Sequence, residues 1–315
     1  VAGRFLMVTR RPVVHALILD MDNTLYDWVA YFVPAVRAMV TVAATILDVS
    51  EQELRGDLQV VHRGYGNTEH PFALLETAAV ERRLPGVSRR VRHEHLLPAF
   101  TAFNEVRRDR LRLYPGVAAT LEAVRAAGCR VVGHTEAKDV NINSRARALG
   151  LDATLEAIYA PRFTGLPHPL STDRERKQDT LRVRVLPPTA RKPNPEIARQ
   201  ISDQLGVPPA RCLYVGDNLS KDVTMAKRAG MLAAWARYGT HHDPGLWRDL
   251  VALSHWDPAA VNAAESADAE SSQYAPDVTL DAFDELREHY TFAAPVDSRV
   301  VQLEPDCLRA GSAEG

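Results

Sequence analysis

The segment His15-Ala16-Leu17-Ile18-Leu19-Asp20-Met21-Asp22-Asn23-Thr24-Leu25 is an apolar run that ends in two carboxylates one residue apart. An unbroken apolar run reads as a strand buried on both faces of a parallel sheet, and ligands of open α/β sheets bind just outside the carboxyl ends of such strands. Asp20 and Asp22 stand at that position. Two acids this close raise each other's pKa unless a cation lies between them or one carries a proton. Either arrangement is useful, because an ionised carboxylate can be a nucleophile while its neighbour passes a proton to a leaving oxygen.

The same ending recurs along the chain. Cys129-Arg130-Val131-Val132-Gly133-His134-Thr135 is an apolar run closing on a hydroxyl, and Cys212-Leu213-Tyr214-Val215-Gly216-Asp217 closes on a carboxylate. Between them Arg191-Lys192-Pro193-Asn194-Pro195-Glu196 sets a lysine before a proline-started helix, with Pro193 expected in the first turn. Asp217 and Asp222 are five residues apart, about 500° of helical rotation, so they cannot share one helical face. Asp217 is therefore expected to end a strand and Asp222 to lie in the first turn of the next helix.

These residues, in this order, resemble the haloacid dehalogenase superfamily: Asp20-Met21-Asp22-Asn23-Thr24, then Thr135, Lys192, and Gly216-Asp217-Asn218-Leu219-Ser220-Lys221-Asp222. The resemblance implies a Rossmann-like α/β fold, a parallel sheet with helices on both faces, plus an inserted all-helical cap. It also implies magnesium-dependent phosphatase chemistry on a small phosphorylated metabolite. Asp20 would be the nucleophile and form an aspartyl-phosphate, and Asp22 the general acid and base. Mg2+ would be held by the Asp20 and Asp217 carboxylates and the Asp22 backbone carbonyl. Thr135 and the backbone N–H groups of Met21, Asp22 and Glu136 would bind phosphate with Lys192, and Asp222 would orient Lys192 or a metal-bound water. Glu136 departs from the family, which commonly has Asn after the Thr, and its side chain is expected to turn away from phosphate or bind a substrate hydroxyl. Asp22 disfavours a dehalogenase, which attacks carbon and needs no acid there. A phosphomutase and a non-catalytic phosphate-binding protein remain as alternatives.

At 315 residues the chain is long enough for a core plus an inserted unit. A net charge of −2, without basic stretches interleaved with aromatics, gives no sign of nucleic-acid binding. Cys129, Cys212 and Cys307 have no paired spacing, so neither a disulfide framework nor a zinc site is expected and a reducing cytoplasm fits. No apolar run is read as approaching the roughly 18 residues of a membrane span.

Residues 1–12 read as an N-terminal extension, 13–25 and 113–291 as the α/β core, 26–112 as the helical cap and 292–315 as a tail. Within the cap, helical periodicity is read over Val33–Leu47, Pro71–Arg83 and His95–Leu111. Gly64-Tyr65-Gly66 lacks the third glycine and the strand of a nucleotide fingerprint, so Arg63–His70 is read as a cap loop. Its Tyr65, Asn67, Thr68 and His70 are the candidates for substrate selection. Asp27 and Trp28 are expected at the cap hinge, where Trp28 is either core packing, the favoured reading, or a stacking surface. His93 and His95 fall on different helical faces, and His241-His242-Asp243 reads as a turn. The stretch 162–188 is an excursion, either solvated or a basic lip of Arg174, Arg176, Lys177, Arg182 and Arg184, with Leu181–Leu186 alternating as a short strand or hairpin would. Met231–Ala236 is expected to be a further core strand, and Pro276–Leu280 with Phe283–Leu286 the closing strand and helix.

Overall fold

Strand β2 (Ala16–Leu19) is wholly buried, and its alternate side chains feed two separate cores: Leu17 and Leu19 one, Ala16 and Ile18 the other. That two-sided burial explains why the run is apolar throughout instead of alternating. The computed structural model describes residues 11–170, 183–187, 190–257 and 274–295. In it β2 lies inside a seven-stranded sheet in which every pairing is parallel. Its neighbours are β3 (Arg130–His134) and β6 (Cys212–Gly216). Outside β3 come β4 (Ala157–Pro161) and β5 (Val183–Leu186), and outside β6 come β7 (Leu232–Ala236) and β8 (Val278–Leu280). Helices α6 (Val117–Ala126) and α7 (Asp139–Ala148) pack on the Leu17 face, while α8 (Pro195–Leu205) and α9 (Thr224–Ala229) pack on the Ile18 face. The expected Rossmann-like core is present. Leu19 is level with Gly133 of β3 and Val215 of β6, so the residues after all three strands emerge on one edge.

Between β2 and β3 the chain forms α1 (Trp28–Leu47), α2 (Glu51–Tyr65), a short 3-10 turn (Ala73–Glu76), α3 (Ala78–Arg83), α4 (Arg89–His95) and α5 (Leu97–Arg110). No strand longer than an isolated bridge interrupts them among the described residues. The two crossings into this helical insertion are joined: Tyr26 bridges Leu113, and the Tyr114 N–H donates to the Leu25 carbonyl.

Several local expectations are corrected. Arg63, Gly64 and Tyr65 are the last turn of α2, closed by Gly66 at φ 57°, a conformation glycine adopts without a Cβ penalty. Pro193 precedes the helix that Asn194 caps, so Pro195 holds the first position of α8. The alternation around Val183–Leu186 is, as read, a short strand, on the edge of the sheet with Arg184 and Val185 exposed; Arg184 donates to the Tyr159 hydroxyl of β4 at 3.0 Å. Arg174, Arg176, Lys177, Arg182 and Cys307 lie outside the described residues. Phe292, read as part of the tail, belongs to β9 (Thr291–Phe292), which pairs with β1 (Val13–Val14). Helix α1 is, by length and hydropathy, apolar enough to cross a membrane, contrary to the sequence reading. Its apolar residues are accounted for by packing: Val29, Phe32, Val33, Val36 and Val40 are buried in the larger core, with α5, α2 and α10 (Pro244–Leu253) against it.

Helix α10 binds the insertion to the core. Arg37 of α1 pairs with Asp249 at 2.6 Å, and buried His62 of α2 donates from Nδ1 to the Leu253 carbonyl at 2.7 Å. Burial pushes the His62 pKa down to about 4 from 6.5, because the desolvation of an imidazolium outweighs the support of the Leu253 carbonyl. The unfolded chain therefore binds this proton more readily than the folded one below about pH 6.5, and stability falls until about pH 4. In urea unfolding, the stability advantage of wild type over His62→Gln should shrink by about 3 kcal/mol between pH 7 and pH 4. A constant difference across that range would contradict this account.

Candidate active site

Asp20, Thr135 and Asp217 follow β2, β3 and β6, and the shared strand register brings them to one edge of the sheet. Lys192, just ahead of α8, reaches into the same place. Its buried ammonium lies 2.5 Å from Asp20 Oδ1 and 2.8 Å from Asp222 Oδ1, and 5.5 Å from the centre of the Tyr214 ring. The lysine pKa is driven well up by these two carboxylates despite its burial, so it stays charged. Asp222 sits in a π-helical turn, Leu219–Val223, and its Oδ2 accepts from the Asn218 N–H.

Carboxylate oxygens of Asp20, Asp217 and Asp222 lie within 4.8 Å of one another. Burial raises all three pKa values, Asp222 to about 6; mutual repulsion adds to this while Lys192 opposes it. Three carboxylates face one ammonium, leaving two negative charges without a counter-ion, which is the charge of one divalent cation. An all-oxygen donor set of this kind suits a hard cation.

Thr135 is buried and its Oγ1 accepts from the Ala137 N–H at 3.0 Å, so the hydroxyl caps the turn while its own proton remains free to donate. The Glu136 carboxylate is drawn to Lys221 Nζ at 3.0 Å and to the Lys192 N–H. Burial would raise its pKa, but Lys221 and Lys192 prevail and hold it below the usual range. Asp22 Oδ1 accepts from the Tyr26 hydroxyl and from Arg145, each at 2.7 Å.

These groups front a cavity of about 1210 Å³ whose walls include Trp28, Asn67, Thr68 and Glu69 of the insertion and Trp247, His255 and Trp256 of the α10 segment. Asn67 and Thr68 are thus brought to the site, and Thr68 Oγ1 is 2.8 Å from His255 Nδ1. Tyr65 and His70 are not among its walls. They stack on each other with ring centres 3.6 Å apart and both bond Glu76, with His70 buried and Tyr65 covering it from the exposed side. Trp28 both stacks on Phe32 and lines the cavity, while Asp27 caps α1. His93 is packed on Phe100, and Asp243 caps α10 with His242 stacked on Trp247. Sequence reading missed Glu69, Arg145, Trp247, His255 and Trp256. A buried arginine leaves no mark in local pattern, and the Trp247-x8-Trp256 pair becomes a wall only when α10 folds against the insertion.

The sequence model of haloacid dehalogenase-like hydrolases matches residues 14–230, and a HAD-hydrolase-like model matches 189–286. The chain belongs to the haloacid dehalogenase-like hydrolase family. It is 28% identical over 236 residues to a glyceraldehyde 3-phosphate phosphatase of Methanopyrus kandleri, covering 73% of this chain and 87% of that one. It is 38% identical over 79 residues to an N-acetylmuramic acid 6-phosphate phosphatase of Pseudomonas aeruginosa, covering 24% of this chain and 34% of that one. Among solved structures, a HAD phosphatase from Thermococcus onnurineus superposes with a TM-score of 0.49 at 17% identity, over 87% of this chain and 97% of that one.

Gly216, the last residue of β6, is needed for space: a Cβ there would fall 2.4 Å from the Asp222 carboxylate carbon. Gly216→Ala must move Asp222 off Lys192, at about 1–3 kcal/mol of overpacking. Phosphate-ester turnover should drop at least tenfold while circular dichroism stays native. Turnover equal to wild type would show that the Asp222–Lys192 contact has no part in the chemistry.

Proposed function

We propose that the protein is a magnesium-dependent phosphatase that hydrolyses a sugar-type phosphate monoester through an aspartyl-phosphate on Asp20. The observation that carries this reading is the Lys192 ammonium held 2.5 Å from Asp20 Oδ1 at the cavity floor, with Asp22 two residues on. Phosphoryl transfer is mostly positioning and charge neutralisation, and this chain supplies both.

Asp20 attacks phosphorus, the bond to the leaving oxygen breaks, and Asp22 gives that oxygen a proton. Asp22, now ionised, takes a proton from water; the water oxygen attacks phosphorus and the bond to Asp20 breaks, restoring both acids. Lys192 offsets the repulsion between the Asp20 carboxylate and the phosphate dianion, and the Thr135 hydroxyl donates to a phosphate oxygen. Asp20, Asp217 and the Asp22 backbone carbonyl would hold Mg2+. When bound, the ion neutralises phosphate oxygens and the acid cluster together. Asp222, engaged by Lys192 and the Asn218 N–H, orients the lysine.

The cavity walls and the relatives support this substrate class. Trp256 has its ring centre 6.3 Å from that of Trp28 and 5.9 Å from that of Trp247, a set of aromatic rings on which a sugar can pack. Lys138 and Arg191 also line the cavity, and neither has an ion pair among the described residues. At about 1210 Å³ the cavity is roomy for a triose phosphate. Both curated relatives carry names of phosphatases acting on sugar-type phosphates.

Phosphate release from p-nitrophenyl phosphate and a panel of triose, hexose and amino-sugar phosphates tests the reading. Turnover should require Mg2+, stop with EDTA, and fall on the order of 10³-fold or more in Asp20→Asn. Turnover that survives either EDTA or Asp20→Asn would overturn it.

A further inference from the structure

Arg145 is among the largest fully buried side chains of the protein, and it is a cation. It projects from α7 on the core side, and its guanidinium spans two carboxylates that belong to different parts of the chain. Nη1 donates to Asp22 Oδ1 at 2.7 Å and to the Tyr31 hydroxyl at 3.0 Å, while Nη2 donates to Glu69 Oε2 at 2.8 Å. Glu69 is fixed in turn, since its Oε1 accepts from Trp28 Nε1 at 2.9 Å. One turn earlier on α7, Asn141 Nδ2 donates to the Glu69 carbonyl at 2.8 Å, so two residues on one helical face grip the same residue of the insertion.

We propose that Arg145 is a positioning residue: it fixes the Asp22 carboxylate for proton transfer and makes that fixation depend on Glu69, and so on the seating of the cap. This rests on the reading of Asp22 as the general acid and goes beyond it by assigning what holds the acid in place. Arg145 and Tyr26 both occupy Oδ1 of Asp22, whereas Oδ2 has no hydrogen bond among the described residues and Asp22 borders the cavity. One oxygen is anchored and the other is left for the leaving group. A buried guanidinium costs several kcal/mol to desolvate and is tolerated only when well paired. Withdrawal of the insertion would carry off Glu69, Trp28 and Tyr31 together, leaving Arg145 with Asp22 and the Tyr26 ring. The planar fork of arginine suits this double hold, which a lysine point charge cannot reproduce.

A contact that merely glues the insertion to the core would affect all substrates alike. A contact that aligns the acid matters most when the leaving group needs a proton: an alkoxide does, p-nitrophenolate does not. The experiment compares kcat/KM, which reports steps up to leaving-group loss, for glycerol 2-phosphate and p-nitrophenyl phosphate in wild type, Arg145→Met, Glu69→Gln, the double variant and Asp22→Asn. The expected result is a fall for the alkyl ester at least tenfold greater than for the aryl ester in Arg145→Met. Glu69→Gln, isosteric and chosen in case Arg145→Met does not fold, should show the same bias to a smaller degree, and the double variant should be no worse than Arg145→Met alone. Equal losses on both esters, or no loss, in folded Arg145→Met or Glu69→Gln would overturn the proposal, as would losses that multiply in the double variant. If Asp22→Asn itself shows no alkyl bias, or the wild type hydrolyses neither ester, the acid role falls and this inference with it. If Asp22→Asn shows the bias and the Arg145 and Glu69 variants do not, only the positioning role fails.

Discussion

The Lys192 ammonium, buried between Asp20 and Asp222, is the interaction on which the rest of the site depends. Without it, three acids would crowd one edge of the sheet with no counter-charge from the protein, and burial would protonate them. With it, Asp20 keeps one oxygen anchored and its charge offset, at the residue that continues β2. The lysine cannot lie on β2, β3 or β6, because their ends already carry Asp20, Thr135 and Asp217. It is delivered instead from the segment that enters α8, where the Asn194 cap fixes the start of the helix. Gly216 supplies the last requirement, room for Asp222 to approach.

The parallel sheet and the core of the site were legible because each of their residues is tied to a local pattern. An apolar run closing on a polar residue marks a strand end, and parallel pairing then puts every such end on the same edge. Asp20, Thr135 and Asp217 are gathered by topology alone, with no need to foresee individual contacts. Lys192 and Asp222 were legible through the ordered set they complete. What could not be read is the company that side chains keep across long separations. Arg145 sits in a stretch, Asp139–Ala148, with little amphipathic pattern, and its partners Asp22 and Glu69 are 123 and 76 residues away.

The helical insertion was harder for two physical reasons. Helix α1 is apolar nearly all round because it is the insertion's own core, and composition alone does not distinguish such a helix from a membrane span. The polar groups of Tyr65 and His70 are spent within the insertion, since Glu76 bonds both the tyrosine hydroxyl and the imidazole, with His70 buried and Tyr65 exposed over it. Polarity therefore marked a hydrogen-bonded cluster there and a cavity wall at Asn67 and Thr68, two or three residues from either. The difference is set by where α2 ends, at the left-handed Gly66, which turns the following residues toward α10.

Helix α10 ties these levels together. It follows β7 and so belongs to the sheet's connectivity, yet it pairs with α1 through Asp249 and with α2 through the Leu253 carbonyl. The same helix carries Trp247, and the turn after it carries His255 and Trp256, which with Trp28 wall the cavity above Asp20. Contacts that seat the insertion and contacts that shape the cavity thus lie on one element, and on the opposite side α7 combines the same two tasks through Asn141 and Arg145. Held from both sides by neutral and charged hydrogen bonds instead of a continuous apolar interface alone, the insertion can be seated by a small number of directional contacts. Because one of those contacts ends on Asp22, the bonds that seat the insertion also hold the Asp22 carboxylate.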